Sequence, residues 1–135
     1  MTKKNEDCIF CKIVKKEIKS DFVEESNIFI VIKDINPVSE GHLLVIPKKH
    51  YATLLDIPDK MGAEMLNFIK KVSSKLLDSK KGDGFNIVMN NLPSAGQLVM
   101  HSHIHIIPRK DGDGIRFLVR KWGSILILFR VEEFP

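Results

Sequence analysis

Three histidines at alternating positions are the residues of this sequence best suited to chemistry: His101, His103 and His105. Alternate side chains of a β-strand lie on one face, about 6.6–6.8 Å apart along the strand. A single histidine in an apolar strand is most often a core residue, whereas three in strict alternation favour a functional cluster. The spacing therefore predicts a surface of imidazoles that can act on one anion or share one metal ion.

Two kinds of reaction fit such a surface. A neutral imidazole carries a lone pair near physiological pH and leaves again readily, so one histidine can attack phosphorus while its neighbours stabilise the phosphoryl oxygens. In the alternative, two or three of the histidines bind a catalytic zinc ion, and a zinc-bound water attacks. Alternation alone does not separate these two reactions.

The polar turn before the histidines favours the chemistry of phosphorus. It contains Asn90 and, at 95–97, the residues Ala-Gly-Gln. Glycine permits a close backbone approach, and amide side chains can bind phosphate oxygens or a leaving group. By itself a Gly-Gln pair is usually only a turn, so this argument depends on the histidines that follow it.

The elements that must position these residues are predicted from the hydrophobic pattern. Short apolar runs bounded by turn residues predict strands at 22–25, 28–32, 43–46 and 85–89, and a last strand carries the histidines as far as Pro108. Apolar residues at every third or fourth position predict one long helix at 58–77. Strands in mostly antiparallel order, covered by one helix, indicate an α+β fold.

Composition limits the function classes. The chain has 135 residues, of which 44% are hydrophobic and 28% charged, so one domain with one core is expected. Its formal charge of +4 comes from scattered lysines, and with a single tryptophan this makes nucleic acid a poor partner. Because no stretch approaches the roughly 20 apolar residues of a membrane span and no signal peptide is evident, we expect a cytoplasmic protein with no membrane partner.

The two cysteines, Cys8 and Cys11, are too few and too close in sequence to crosslink a secreted fold. They are interpreted as reduced thiols or metal ligands. A redox-active Cys-x-x-Cys pair is the rival interpretation, but such pairs begin a helix within a βαβ unit, and no such unit is evident in this sequence.

These segments together resemble the histidine-triad (HIT) family of nucleotide hydrolases and transferases. The resemblance covers 8–13, 34–37, 41–50, Asn90 and 95–105, in family order and spacing. It implies a HIT-like fold, with an antiparallel five-stranded sheet, one long helix and a short N-terminal helix. It also implies a single HIT domain over 1–135, with its core at 8–109 and a C-terminal tail, 110–135, of open placement.

For the reaction, the resemblance implies that His103 attacks the α-phosphorus of a purine nucleotide, forming a nucleotidyl-histidine that water hydrolyses. His105 and His42 would hold the phosphate oxygens, and a backbone carbonyl near His101 would fix the tautomer of His103. The other implied contacts are with ribose (Asp34), with phosphate or leaving group (Asn90, Gln97) and with the base (Phe10, Ile18, Ile32, Ile35). Without the resemblance, the four apolar residues would be core and Asp34 a turn residue.

The resemblance also implies a structural zinc ion bound by Cys8, Cys11, His50 and His101, no organic cofactor, and a homodimer. The tail contains an apolar run at 124–129, which is expected to pack on the sheet or at a dimer interface.

Three functions stay open at this point. The first is a hydrolase that cleaves dinucleoside polyphosphates or nucleoside phosphoramidates and releases a nucleoside monophosphate. The second is a nucleotidyltransferase or phosphorylase that uses the same His103, and the third is a nucleotide-binding signalling module. Leu98 lies where some family members have a polar side chain that assists the leaving group, so the sequence does not identify that group.

Overall fold

The computed structural model describes residues 6–115 and, beyond them, the backbone of 121–122 and 125–126. Five antiparallel strands form a sheet in the spatial order β1–β2–β3–β5–β4. The three inner strands are almost wholly buried, as their apolar sequences require. The strand bounds are Phe22–Glu25 (β1), Phe29–Lys33 (β2), Leu43–Pro47 (β3), Gly84–Val88 (β4) and Ile104–Arg109 (β5).

A helix covers each face of the sheet. The long helix α2 (Gly62–Asp78) follows a single 3-10 turn, Asp59–Met61, and the short helix α1 is Ile9–Val14. Because side chains alternate along a strand, β2 supplies both cores. Phe29 and Val31 pack with Phe68, Val72 and Leu76 of α2, whereas Ile30 and Ile32 pack with Phe10 and Ile13 of α1.

The predicted fold class is confirmed: the sheet has five antiparallel strands, one long helix and one short N-terminal helix. The histidine segment differs from the prediction, because β5 begins only at Ile104 and neither His101 nor His103 is part of it. The backbone there is bonded outside the sheet, since the N–H of Ser102 donates to the carbonyl of Tyr51 at 2.6 Å. The three imidazoles therefore do not share one regular strand face.

The prediction for the tail falls mostly outside the described residues. Of its apolar run at 124–129, only the backbone of β7 (Ile125–Leu126) is described, and it pairs with β6 (Lys121–Trp122) in a separate two-stranded ladder. Among the helices that the structure describes, none is both long and apolar enough to cross a lipid bilayer.

Candidate active site

Three histidines and one aspartate meet on the α1 face of the sheet, where the ends of β2, β3 and β5 come together. Asp34 follows β2, His42 precedes β3, and these strands are antiparallel neighbours, so their adjoining ends lie side by side. His105 is brought to the same place because it pairs opposite Leu44 of β3. His103 lies next to His105, with ring centroids 5.2 Å apart, and all four side chains are buried.

The tautomer of His103 is fixed by the backbone. Its Nδ1 lies 2.8 Å from the carbonyl oxygen of His101, where the resemblance implies such a bond. A carbonyl only accepts, so Nδ1 carries the ring proton and Nε2 keeps its lone pair in the neutral ring. Burial lowers the pKa of His103, opposed by the hydrogen bond to His101 and by the charge of Asp34. The ring is thus held as a neutral imidazole with Nε2 available to attack.

His42 and His105 form a pair with the opposite tautomer. The backbone N–H of Val38 donates to Nδ1 of His42 at 3.0 Å, so the proton of neutral His42 is on Nε2. That Nε2 lies 2.9 Å from Nδ1 of His105, which must accept, so the proton of His105 is on its own Nε2. Next to the bare nitrogen of His103, the pair therefore presents an N–H donor suited to a phosphoryl oxygen.

Burial also keeps this pair neutral. The pKa of His105 is lowered to about 3, first by burial and then by the neighbouring His103 and His42. The pKa of His42 is lowered by burial and raised by the charge of Asp34. All three imidazoles are consequently uncharged near neutral pH in the protein without substrate, which leaves the lone pair on Nε2 of His103 free of a proton.

The carboxylate of Asp34 contacts groups of the chain itself. Its Oδ1 accepts the backbone N–H of Asn36 at 2.8 Å, which is the turn bond expected of an aspartate before Ile-Asn-Pro. Its Oδ2 lies 3.4 Å from Nε2 of His42 and 3.9 Å from Nδ1 of His105. Both oxygens are therefore close to groups of the chain itself, and the contact with ribose stays a prediction.

Four side chains close to these histidines form a second cluster, with the composition of a structural zinc site: Cys8, Cys11, His50 and His101. Sγ of Cys8 lies 3.3 Å from Nδ1 of His101, and Sγ of Cys11 lies 3.3 Å from Nδ1 of His50. In a tetrahedral zinc site, bonds of about 2.3 Å to sulfur and about 2.0 Å to nitrogen place such ligand atoms roughly 3.5 Å apart. The donor set and spacing therefore fit zinc, with no open position for a substrate.

The surroundings of this cluster support a metal over a redox pair. Nε2 of His101 donates to the carbonyl of Pro47 at 2.7 Å, which leaves Nδ1 as the nitrogen that can bind a metal. Burial and the adjacent Cys8 raise the pKa of the Cys11 thiol to about 11. A redox-active cysteine needs a lowered pKa, so the raised pKa of Cys11 does not favour a redox pair.

The side chain of Gln97 is bonded to backbone groups of three other residues. Its side-chain amide donates to the carbonyls of Ala52 and Val99, at 2.6 and 2.9 Å, and accepts the N–H of Leu92 at 2.7 Å. Leu92 has φ +74° and ψ 155°, a conformation costly for a residue other than glycine. Buried Gln97 therefore holds a strained turn in place, and its contact with phosphate or leaving group stays a prediction.

The four residues predicted to contact the base divide into two pairs. Phe10 and Ile32 are buried beneath the histidines, and the Phe10 ring lies edge to face with His103 at 5.0 Å. Ile18 is partly exposed and Ile35 is 90% exposed, so neither is part of the core. Asn90 is half-buried at the end of β4, with its side-chain amide 3.6 Å from where a Cβ on Gly96 would lie.

Two backbone groups in this site were not predicted from the sequence: the N–H of Val38 and the carbonyl of Pro47. Each fixes the tautomer of one imidazole, His42 or His101. Neither bond involves a side chain, so neither role can be predicted from the residue type at position 38 or 47.

The sequence profile of the HIT domain matches residues 15–112. The chain belongs to the HIT family. The matched range includes the five-stranded sheet, the long helix and the histidines from His42 to His105, and relatives of this chain include proteins named adenosine 5′-monophosphoramidase.

Named relatives give this HIT protein its biochemical context. An adenosine 5′-monophosphoramidase of Candida albicans is 44% identical over 108 residues, covering 77% of this chain and 71% of the relative. An adenylylsulfatase of Arabidopsis thaliana is 42% identical over 107 residues, covering 79% of this chain but only 54% of that longer protein. A crystal structure of a zinc-bound histidine-triad protein from Mycobacterium smegmatis is 35% identical, with TM-score 0.76, covering 82% and 80% of the two chains.

Proposed function

We propose that this HIT protein is a nucleotide hydrolase that cleaves at the α-phosphorus of a purine nucleotide through a covalent intermediate on His103. The observation that carries the proposal is the pair of opposite tautomers. Nε2 of His103 is bare because the carbonyl of His101 holds its Nδ1 proton, and beside it His105 presents an N–H because His42 holds its Nδ1. A nucleophile and an oxyanion donor are the two groups that displacement at phosphorus requires.

The reaction proceeds in two balanced steps. The lone pair on Nε2 of His103 attacks the α-phosphorus, the bond from phosphorus to the leaving nitrogen or oxygen breaks, and the leaving group departs with its electron pair and a proton supplied through the neighbouring histidines. Water then attacks the nucleotidyl-histidine, the P–N bond to His103 breaks, and a nucleoside monophosphate is released. The attacking water returns one proton to those histidines in the second step. The N–H of His105, with His42 behind it, donates to the phosphoryl group as the first bond breaks.

A nucleoside phosphoramidate or a mixed anhydride of adenylate is the substrate class that we propose. Support comes from relatives named adenosine 5′-monophosphoramidase and adenylylsulfatase, both of which act on an adenylyl group by name. Dinucleoside polyphosphates present the same α-phosphorus and are the second substrate to test. Exposed Ile35 and Ile18 and the ring of Phe10 are proposed to contact the base, and Asn90 the leaving group.

The zinc ion is proposed to be structural. Cys8, Cys11, His50 and His101 would hold it, and when bound it supplies a crosslink between α1, the segment after β3 and the segment before β5. The zinc-bound structure of the Mycobacterium smegmatis relative supports a metal in this fold.

We further propose that the chain acts as a single HIT domain in the cytoplasm and forms a homodimer. In support of a dimer, β4 is an edge strand of the five-stranded sheet, and its Phe85 and Ile87 are 40% and 46% exposed. An edge strand with exposed apolar side chains favours pairing with a second copy.

The test is release of AMP from adenosine 5′-phosphoramidate and from diadenosine tetraphosphate, followed by chromatography. His103→Ala is expected to lower kcat at least about a thousandfold, and added imidazole is expected to restore part of it by occupying the space of the lost ring. Failure of the unmodified protein to cleave either substrate would overturn the proposal. Unchanged turnover in His103→Ala would assign the nucleophile elsewhere.

A further inference from the structure

One oxygen of the Asp34 carboxylate has no hydrogen-bond donor within the part of the chain that the structure describes. Oδ1 is used in the turn to Asn36, but Oδ2 accepts no hydrogen bond among the residues that the structure describes, and the side chain is only 4% exposed. A buried carboxylate oxygen without a donor is costly. It faces the His42–His105 pair, at 3.4 and 3.9 Å from the two nitrogens that share a proton.

A metal ion is the first candidate to consider, because Asp34, His42 and His105 have suitable ligand atoms within 4.8 Å of one another. The tautomer of His42 excludes it. The N–H of Val38 points at Nδ1, so Nε2 must carry the proton and has no lone pair for a metal. These three side chains are therefore arranged to hold a proton and not a metal ion.

A second ring proton on His105, in addition to the one on Nε2, would give Oδ2 of Asp34 a hydrogen-bond donor. In the neutral pair, one N–H of His42 satisfies the single acceptor on His105. If His105 becomes doubly protonated, its Nδ1–H meets the N–H of His42 and needs a new acceptor. Oδ2 of Asp34 is the carboxylate oxygen close to both nitrogens, and a small movement from 3.9 Å makes a charge-assisted bond.

We propose that Asp34 is a positioning residue of phosphoryl transfer, whose Oδ2 accepts the Nδ1–H of His105 while Nε2 of that ring gives and takes a proton. The inference rests on the proposed function. In the first step, Nε2–H of His105 passes its proton to the leaving nitrogen as the P–N bond breaks, and in the second step Nε2 receives a proton from the attacking water. Nδ1–H stays bonded to Asp34 throughout, so His42 never has to lose its own proton.

The titratable groups that face the pair support this account. Among the described residues, the titratable groups shown close to the pair are Asp34 at the end of β2 and His103 before β5, of which Asp34 is the acidic one. The charge of Asp34 opposes the effect of burial on the pKa of His42. A bound phosphate adds further negative charge and favours proton uptake by the pair.

The proposal is distinguished from ribose binding by a substrate without ribose hydroxyls. We would measure kcat and KM for adenosine 5′-phosphoramidate and for its 2′,3′-dideoxy analogue. The proteins compared are the unmodified chain, Asp34→Asn and Asp34→Glu. Glu40→Gln is the charge control, because the carboxylate of Glu40 is exposed. Asp34→Asn should lower kcat about a hundredfold on both substrates, Asp34→Glu should recover part of it, and Glu40→Gln should change neither. A loss confined to KM, or to the substrate with hydroxyls, would overturn the proposal.

A measurement on the free protein keeps this test separate from the proposed function. The ring resonances of His42 and His105 would be titrated by NMR in the unmodified protein and in Asp34→Asn, with thermal unfolding as the check on folding. The midpoint of His42, whose pKa the charge of Asp34 raises, should move to lower pH in Asp34→Asn and return with Asp34→Glu. An unmoved His42 midpoint would overturn the proposal even in an active enzyme, whereas a moved midpoint without AMP release would mean that the proposed function failed and the contact with the pair stands.

Discussion

The carbonyl oxygen of His101 accepts the Nδ1–H of His103 at 2.8 Å, while the ring of His101 is directed away, towards Cys8 at 3.3 Å. One residue thus belongs to both clusters of the site: its side chain to the proposed zinc ligands and its backbone to the proposed nucleophile. The ring of Phe10 lies against both imidazoles, at 5.9 and 5.0 Å between centroids. The position of His103 therefore depends on how firmly the cysteine–histidine cluster is held.

Loss of the metal should affect both clusters. Cys11→Ser removes one soft ligand and is expected to lower bound zinc, measured by atomic absorption, and to lower the thermal midpoint. Because His101 is then held less firmly, kcat should fall more than KM rises. Lys12→Ser, next to it on α1, is the control. Full zinc content and an unchanged midpoint in Cys11→Ser would show that the cluster does not bind metal through Cys11.

Acid should destabilise the fold through the buried imidazoles. The pKa of His105 falls from its ordinary value of 6.5 to about 3 on folding, so below pH 6.5 the unfolded chain binds a proton that the folded chain does not. The stability contributed by neutral His105 is present above pH 6.5 and is lost as the pH falls towards 3. Urea midpoints measured between pH 7.5 and 4.5 should decrease continuously, and His105→Gln should flatten the decrease.

Gln97 is expected to contribute to stability more than an exposed amide does. Gln97→Ala removes three hydrogen bonds that hold the strained turn at Leu92, at a cost of about 3 kcal/mol in the free energy of unfolding. The control is Asn91→Ala, which removes one exposed bond to the N–H of Leu54 and should cost about 1 kcal/mol or less. Equal losses in the two variants, measured by urea unfolding, would contradict this role.

Substitution by alanine should have opposite effects on the free energy of unfolding at two glycines. A Cβ on Gly82 would lie 2.8 Å from the carbonyl oxygen of Gly84 and 2.9 Å from the backbone nitrogen of Arg109, neither of which can move easily, so Gly82→Ala should cost at least about 2 kcal/mol. Gly62, in the first turn of α2, has open space and helical dihedrals, so Gly62→Ala should stabilise by about 0.5–1 kcal/mol. Urea unfolding of both variants checks this contrast.

The sequence predicted the elements well because periodicity reports burial. Val72 and Leu76 at helical spacing, and the run from Leu43 to Ile46, are buried where those patterns indicate. The start of β5 was wrong by several residues, because apolar and β-branched content does not reveal that the backbone at Ser102 bonds to Tyr51.

The site was less predictable than the fold, since its chemistry depends on backbone groups brought close by tertiary structure. The N–H of Val38 and the carbonyl of His101 decide which imidazole nitrogens carry protons. These are backbone groups, so the residue type at positions 38 and 101 does not reveal the two bonds. The inward orientation of Asp34 and the bonds of Gln97 likewise depend on which strand ends and turns meet, which spacing along the chain does not specify.

Trapping the covalent intermediate tests the central claim most directly. The protein would be mixed with a stoichiometric amount of adenosine 5′-phosphoramidate, quenched within one turnover, and analysed by intact-protein and peptide mass spectrometry. We predict an adenylyl group on His103, absent from His103→Ala and lost with time as AMP appears. AMP released in a burst with no adduct at any time, or an adduct on another residue, would contradict the account.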